Sequence, residues 1–218
     1  MPYNRTAALD YARYYWNRVC HDGKIGSNWE GSIRAAKRDQ GIHATFGHAA
    51  PGTIINDQSA SISLPPSQVE DDCTHFISCC IGYSGPNAPI GGGLPIGQPY
   101  QGNPFGFDNP DGLLNDLIPR HLAVYVGEKF RLAHNNAGVI ADAATQLRPG
   151  DLVAYADANK KYAHMAIIVA MQTAPASVPS GPTQLLPPLV ACHTGSRQRD
   201  DFTTIALTYV SLVKIVVP

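Results

Sequence analysis

The sequence lacks any run of 18 apolar residues, the length that a transmembrane helix needs. The apolar core of a signal peptide is also missing, because the residues after Met1 pass directly into an amphipathic pattern. No internal repeat is visible. We therefore expect a protein without a membrane span, made in the cytoplasm and able to act elsewhere.

Strong charge of either sign is equally absent. Lys and Arg total 16, Asp and Glu total 17, and no block of like charge stands out, which argues against nucleic acid or a charged membrane as partner. With 218 residues and 44% hydrophobic content, the chain can bury one core. We predict a single domain over 1–218, with loops near 21–70, 84–112 and 172–188 where many of the 18 prolines and 20 glycines lie.

The chain also lacks the usual metal-binding spacings. Its five cysteines show no C-x-x-C pair, and no H-E-x-x-H motif occurs among its eight histidines. The odd cysteine count argues against a disulfide framework, although one bridge, for example from Cys20, stays open. We expect no metal and no cofactor.

Hydrophobic periodicity predicts an α+β fold. Apolar steps of three and four indicate a helix over 5–19, with Asn4 or Thr6 as its cap, and a second helix from Cys73 to about Gly82. After the second helix, frequent Gly and Pro residues favour a long surface loop over 84–112. Further elements are a short helix near Ser32–Arg38, a helix and short strand over 112–126, and strands at 152–155, 164–171, 189–193 and 203–217, of which 164–171 and 189–193 are expected to pair antiparallel.

Cys73 is the candidate nucleophile, because a helix N-terminus lowers the pKa of a thiol and offers amides to an oxyanion. His164, at the start of an apolar strand, is the candidate base, and His193 on the next strand could orient its ring. A helical cysteine is more often a small buried hydrophobe, and we interpret Cys79, Cys80 and Cys192 in that way. His75 is ambiguous and stays outside the site.

Five short motifs follow one another along the chain: Tyr3-Asn4-Arg5-Thr6-Ala7-Ala8, Asp72-Cys73-Thr74-His75-Phe76, Gly150-Asp151-Leu152-Val153, His164-Met165-Ala166-Ile167-Ile168-Val169 and His193-Thr194. In this order they resemble the bacterial amidase domain family related to NlpC-type and CHAP cell-wall peptidases. The resemblance implies a papain-like fold with Cys73 as nucleophile, His164 as base and His193 as orienting residue. Asp72 matches that family's aspartate, which could tie down the turn or contribute near the oxyanion, and Thr74 is a second supporting residue there. His75 stands where that family often has Asn, and the Pro-rich link before Leu189 is longer.

The resemblance further implies hydrolysis of an amide bond in bacterial peptidoglycan. Without a signal peptide, such an enzyme would reach the wall by a non-Sec route, as a lysin or as an antibacterial effector in the periplasm of a target cell, where an immunity protein could bind its cleft. Two alternatives stay open. One is a papain-like protease, deamidase or acyltransferase with a protein substrate, and the other is an inactive binding module.

Overall fold

A computed structural model describes residues 2–22, 24–26, 46–48, 51–52, 73–82, 91–96, 110–132, 136–172, 187–193, 197–205 and 207–217. Within these ranges the chain has an α+β fold, as predicted. Its elements in chain order are α1 (Arg5–Tyr15), β1 (Lys24–Gly26), β2 (Phe46–His48), α2 (Cys73–Ile81), α3 (Pro110–Leu117), β3 (Ala123–Arg131), α4 (Ala137–Ala144), β4 (Leu152–Ala156), β5 (Tyr162–Ala170), β6 (Leu189–Cys192), β7 (Arg197–Asp201), a 3₁₀ turn (Phe202–Thr204) and β8 (Tyr209–Ile215).

Six strands form one antiparallel sheet in the order β3-β8-β4-β5-β6-β7, while β1 and β2 pair separately. The predicted neighbours β5 and β6 do pair antiparallel, with Ile167 opposite Ala191. The short strand predicted before residue 126 is nine residues long. Four helices and strands were not predicted: α4, the short strands β1 and β2 in the predicted loop near 21–70, and the edge strand β7, whose sequence RQRDD has no apolar alternation. The helix predicted near Ser32–Arg38 lies outside the described residues.

Alternation along the strands divides the sheet into two faces, which we name after the helices that cover them. The α2 face packs against α1, α2 and α3 through Leu152, Ala154, Met165, Ile167, Ala191 and Val213. The α4 face packs against α4 and Phe202 through Val153, Tyr155, Ala166, Ile168, Val190 and Leu212. Neighbouring residues of one strand therefore belong to different layers of the molecule.

Helix α1 begins as predicted, because the Asn4 side chain accepts a hydrogen bond from the amide of Ala7. It ends at Tyr15, four residues earlier than predicted, and a turn bonded from Arg18 to Tyr15 follows. This turn brings Cys20 into the core, where it is fully buried.

A buried ion pair fastens the start of α1 to the sheet. Asp151 is fully buried, and its Oδ1 accepts from Arg5 at 2.8 Å and from the amide of Ile215 at 2.9 Å. Its Oδ2 accepts from the amide of Arg148. Next to it, the Tyr3 hydroxyl donates to the carbonyl of Gly150 at 2.8 Å. Two of the motifs noted in the sequence thus meet at this structural contact.

Helix α2 matches its prediction, and all nine of its residues are buried. Its C-terminal end is closed by residues 91–96, where Gly92 donates to the carbonyl of Cys80 and Leu94 donates to that of Ile81. Gly91 has φ +80°, and a Cβ there would lie 2.3 Å from the carbonyl oxygen of Cys79. The prediction of a surface loop is therefore wrong for 91–96, because Leu94 and Ile96 are core residues. Glycine here allows close backbone approach.

No helix in the described part of the chain is long and apolar enough to cross a membrane.

Candidate functional site

The predicted nucleophile opens the buried helix. Cys73 is the first residue of α2 and is 3% exposed, and its Sγ lies 3.7 Å from the hydroxyl of the fully buried Thr74. At the first turn of a helix the amides have no intrahelical acceptor and carry partial positive charge. This position can stabilise a thiolate or an oxyanion. Asp72, the other predicted supporting residue, lies outside the described residues.

His193 lies against the same helix. Its ring stacks on Phe76, one turn after Cys73, with 4.2 Å between ring centroids and 20° between planes. The Nε2–H donates to the backbone carbonyl of Tyr15, at the end of α1, over 2.6 Å. This bond fixes both the ring and its tautomer, since Nε2 must carry the proton. His193 is therefore a rigid part of the interface between the sheet and its helices.

His164 has a different environment. It is opposite Tyr155 in the β4–β5 ladder, and the two rings lie 5.6 Å apart between centroids. The Tyr155 hydroxyl donates to the carbonyl of Phe202, and both residues belong to the α4 face cluster. Nε2 of His164 is buried and has no hydrogen-bond partner within the described part of the chain. A buried nitrogen without a partner is costly, which is typical of a group kept for function or of a water site.

Strand alternation does not bring the two predicted histidines to one face. Met165 and Ile167 belong to the α2 face, and His164 pairs with Tyr155 on the α4 face. His193 stacks on Phe76 of α2. The structure therefore puts His193, but not His164, on the side of the helix that carries Cys73.

A second cluster of reactive side chains lies farther along α2. The metal-ligating atoms of Cys20, His75 and Cys79 are all within 4.8 Å of one another, and all three residues are buried. Cys79 Sγ is 3.5 Å from His75 Nε2, and the same nitrogen is 2.9 Å from Asp22 Oδ2. Beside them, the hydroxyl of Tyr11 hydrogen-bonds Nδ1 of His21 at 2.8 Å.

The two adjacent thiols of α2 differ in chemistry. A hydrogen bond from Cys20 is the largest of several effects that hold the pKa of Cys79 well below its usual value, and nearby His75 adds to it against the effect of burial. Burial raises the pKa of Cys80 well above the usual value, and the charge of Cys79 raises it further. Cys80 therefore behaves as the predicted core residue, whereas Cys79 is part of a polar cluster.

The sequence offered only a partial signal for this cluster. His75 and Cys79 are four residues apart, so a helix places them on one side, but we assigned Cys79 to the core and set His75 aside. Cys20 and Asp22 come from the segment after α1, and no spacing in the sequence joins them to α2. None of the five cysteines, all of which are described, forms a disulfide.

Comparison with known proteins gives one match. The sequence model of the family described as "Putative amidase domain" matches residues 119–216, a range that contains Asp151, His164 and His193 but not α2. No curated protein and no solved structure matches the chain. The part of the chain that runs from before β3 to the end of β8 is therefore similar to an amidase domain, which points to hydrolysis of amide bonds in general.

Proposed function

We propose that this protein hydrolyses an amide bond through the thiolate of Cys73, in a papain-like arrangement of helix and sheet. The observation that carries the proposal is the position of Cys73 as first residue of a fully buried helix that packs on an antiparallel sheet similar to an amidase domain. The helix start lowers the energy of the thiolate, and the same amides can hold the oxyanion. Thr74 adds a hydroxyl beside Sγ.

We assign the base to His164. Support comes from its Nε2, which is buried with no hydrogen-bond partner among the described residues and is therefore available to accept a proton. His193, with Nε2–H committed to Tyr15 and its ring stacked on Phe76, would act as a positioning residue for α2 and therefore for Cys73. One observation favours the reverse assignment, namely that His193 and not His164 lies on the side of α2, so both histidines enter the test.

The reaction would follow the double displacement of thiol hydrolases. Sγ of Cys73 bonds to the carbonyl carbon, and the base carries the thiol proton to the leaving nitrogen. The C–N bond then breaks, and an acyl thioester remains. Water attacks the thioester with its proton taken by the base, and Sγ leaves and regains a proton. Negative charge develops on the carbonyl oxygen in both steps, beside the amides of the first turn of α2.

The proposed substrate is the peptide part of bacterial peptidoglycan. The support is the resemblance of the motifs to cell-wall amidases, so the enzyme would act in the wall or periplasm of a target cell, as a lysin or a secreted effector. A protein substrate is the second candidate. Both share the thiol chemistry, and they differ only in which amide fits the cleft.

Purified sacculi incubated with the wild type, with Cys73→Ala and with Cys80→Ala would test the proposal by mass spectrometry of the soluble fraction. We expect fragments from the wild type and from Cys80→Ala, which removes a neighbouring core thiol, and none from Cys73→Ala. Labelling of Cys73 by a small thiol probe gives a second readout, since a reactive thiolate should be labelled even at 3% exposure. Labelling without fragments would reject the wall substrate, and fragments from Cys73→Ala would reject the nucleophile.

The base is tested by matched variants at the two histidines. We expect His164→Ala to lower kcat by about 10²–10⁴-fold, the usual contribution of a general base. His193→Ala should lower it less and leave the acidic limb of the pH–rate profile in place. A loss of that limb in His193→Ala alone would transfer the role of base to His193.

A further inference from the structure

We propose that Cys20, His75 and Cys79 bind a zinc ion in a structural site, with the carboxylate of Asp22 completing its coordination. This site is separate from the proposed nucleophile and does not depend on the proposed function. It would join the segment after α1 to the middle of α2.

The first support is the chemistry of the side chains. Two thiols, one imidazole and one carboxylate are a combination of sulfur, nitrogen and oxygen ligands that zinc binds in proteins, and the sulfur atoms make calcium or magnesium poor candidates. All three residues of the cluster are buried, and the side chain of Asp22 is only 2% exposed.

The distances give the second support. A tetrahedral zinc ion with ordinary bond lengths sets a sulfur and a nitrogen ligand about 3.6 Å apart and two sulfur ligands about 3.8 Å apart. Cys79 Sγ and His75 Nε2 are 3.5 Å apart, and the three ligand atoms all lie within 4.8 Å of one another. Small side-chain rotations would therefore close the site around an ion. Asp22 Oδ2 is already 2.9 Å from the nitrogen that would bind the metal.

The backbone holds the ligands in place. His75 and Cys79 stand one turn apart on a buried helix, so their spacing is fixed. On the other side, the chain after α1 is anchored by Tyr11, whose hydroxyl accepts from the amide of His21 and bonds its ring. Zinc would bind both cysteines as thiolates, with any remaining thiol proton released to solvent, and would leave the proton of neutral His75 on Nδ1.

A catalytic triad of Cys79, His75 and Asp22 fits the contacts less well. A base in such a triad uses one ring nitrogen for the thiol and the other for the carboxylate. Here both contacts of His75 involve Nε2. One nitrogen cannot accept from the thiol and donate to the carboxylate together, but it can face a metal that both neighbours also bind.

The test uses the full chain without an affinity tag that binds metal, purified with zinc present and then dialysed. Elemental analysis should find about one zinc per chain in the wild type, in Cys73→Ala and in Cys80→Ala. Cys20→Ala and Cys79→Ala should lose the ion, and Asp22→Asn should bind it about 10–100-fold more weakly. A chelator should lower the Tm of the wild type and of Cys80→Ala, but not that of Cys79→Ala.

If Cys79→Ala does not fold, two measurements on the wild type still test the zinc site. Replacement of zinc by cobalt should give thiolate-to-metal absorption, and X-ray absorption of the zinc protein should show two sulfur ligands. Wild type without bound metal would overturn the proposal, and so would a disulfide peptide joining Cys20 to Cys79 in protein prepared without reductant. Zinc retention by Cys79→Ala would also overturn it. If the wild type binds zinc but does not hydrolyse the wall, the result would count against the proposed function and not against the zinc site.

Discussion

The α2 face and the α4 face of the sheet differ in what joins them to their helices. On the α2 face, apolar packing is supplemented by polar contacts, including the Arg5–Asp151 pair and the bond from His193 to Tyr15. The described α4 face has a large aliphatic and aromatic cluster, which includes Tyr155, and His164 lies beside the Tyr155 ring. Both candidate sites on α2 belong to the polar side.

The motifs noted in the sequence differ in the same way, because some support the fold and others contain candidate catalytic residues. The Tyr3–Arg5 and Gly150–Asp151 motifs meet each other and hold α1 on the sheet. These two motifs therefore serve the assembly of the scaffold. His164 is the exception, since it is a polar residue on the apolar side with a nitrogen that has no partner among the described residues.

The largest predicted effect is that of removing the Arg5–Asp151 ion pair, which anchors α1 on the α2 face. Asp151→Ala should lower the free energy of unfolding by about 3–5 kcal/mol, because it removes the carboxylate that balances the charge of the partly buried Arg5 and leaves two backbone amides without their acceptor. Urea denaturation measures it. Asp10→Ala is the control, as its pair with Arg13 is exposed and should change stability by less than about 0.5 kcal/mol. Equal effects would mean that the buried pair is no special anchor.

The second prediction concerns close packing at the end of α2. A Cβ on Gly92 would lie 2.1 Å from Cε2 of Tyr3, and Gly92 also accepts from the amide of Asn4. Gly92→Ala should therefore cost about 1–3 kcal/mol through displacement of the Tyr3 ring. Thermal unfolding compares it with Gly138→Ala, where a Cβ meets nothing within 4 Å in an α-helix and should be neutral or stabilising. A neutral result at Gly92 would show that the ring yields easily.

Local patterns in the sequence were enough to predict α1, α2 and the β5–β6 pair, because helix and strand periods are set by neighbouring residues. What they could not predict were contacts between distant segments. Cys20 reaches Cys79 only because α1 ends at Tyr15, and His193 reaches Phe76 only through the order of the sheet. A one-residue change of strand register would have moved His164 to the α2 face.

The third prediction sharpens the contrast at the histidines. His164→Leu should raise the free energy of unfolding by about 1–2 kcal/mol while abolishing hydrolysis, since it removes a buried nitrogen without a described partner from an apolar layer. His193→Leu should lower the free energy of unfolding, because the carbonyl of Tyr15 loses the donor that joins it to the sheet, although the amide of Arg18 still donates to it. Chemical denaturation of both variants would measure the signs. Destabilisation by His164→Leu would mean that this histidine supports the fold.

The smallest effect concerns a single hydroxyl on the polar side. Burial is the main reason that the pKa of Tyr3 is raised above its ordinary value of 10.0, and its hydroxyl donates to Gly150. Tyr3→Phe keeps the ring under the Arg5 guanidinium and should cost about 0.5–1.5 kcal/mol at neutral pH. Because the folded pKa exceeds the unfolded one, the wild type keeps this advantage below pH 10 and loses it as the pH rises further. Unfolding curves of both proteins at neutral and alkaline pH should therefore converge and then cross, whereas a constant difference would mean that the hydroxyl titrates alike in both states.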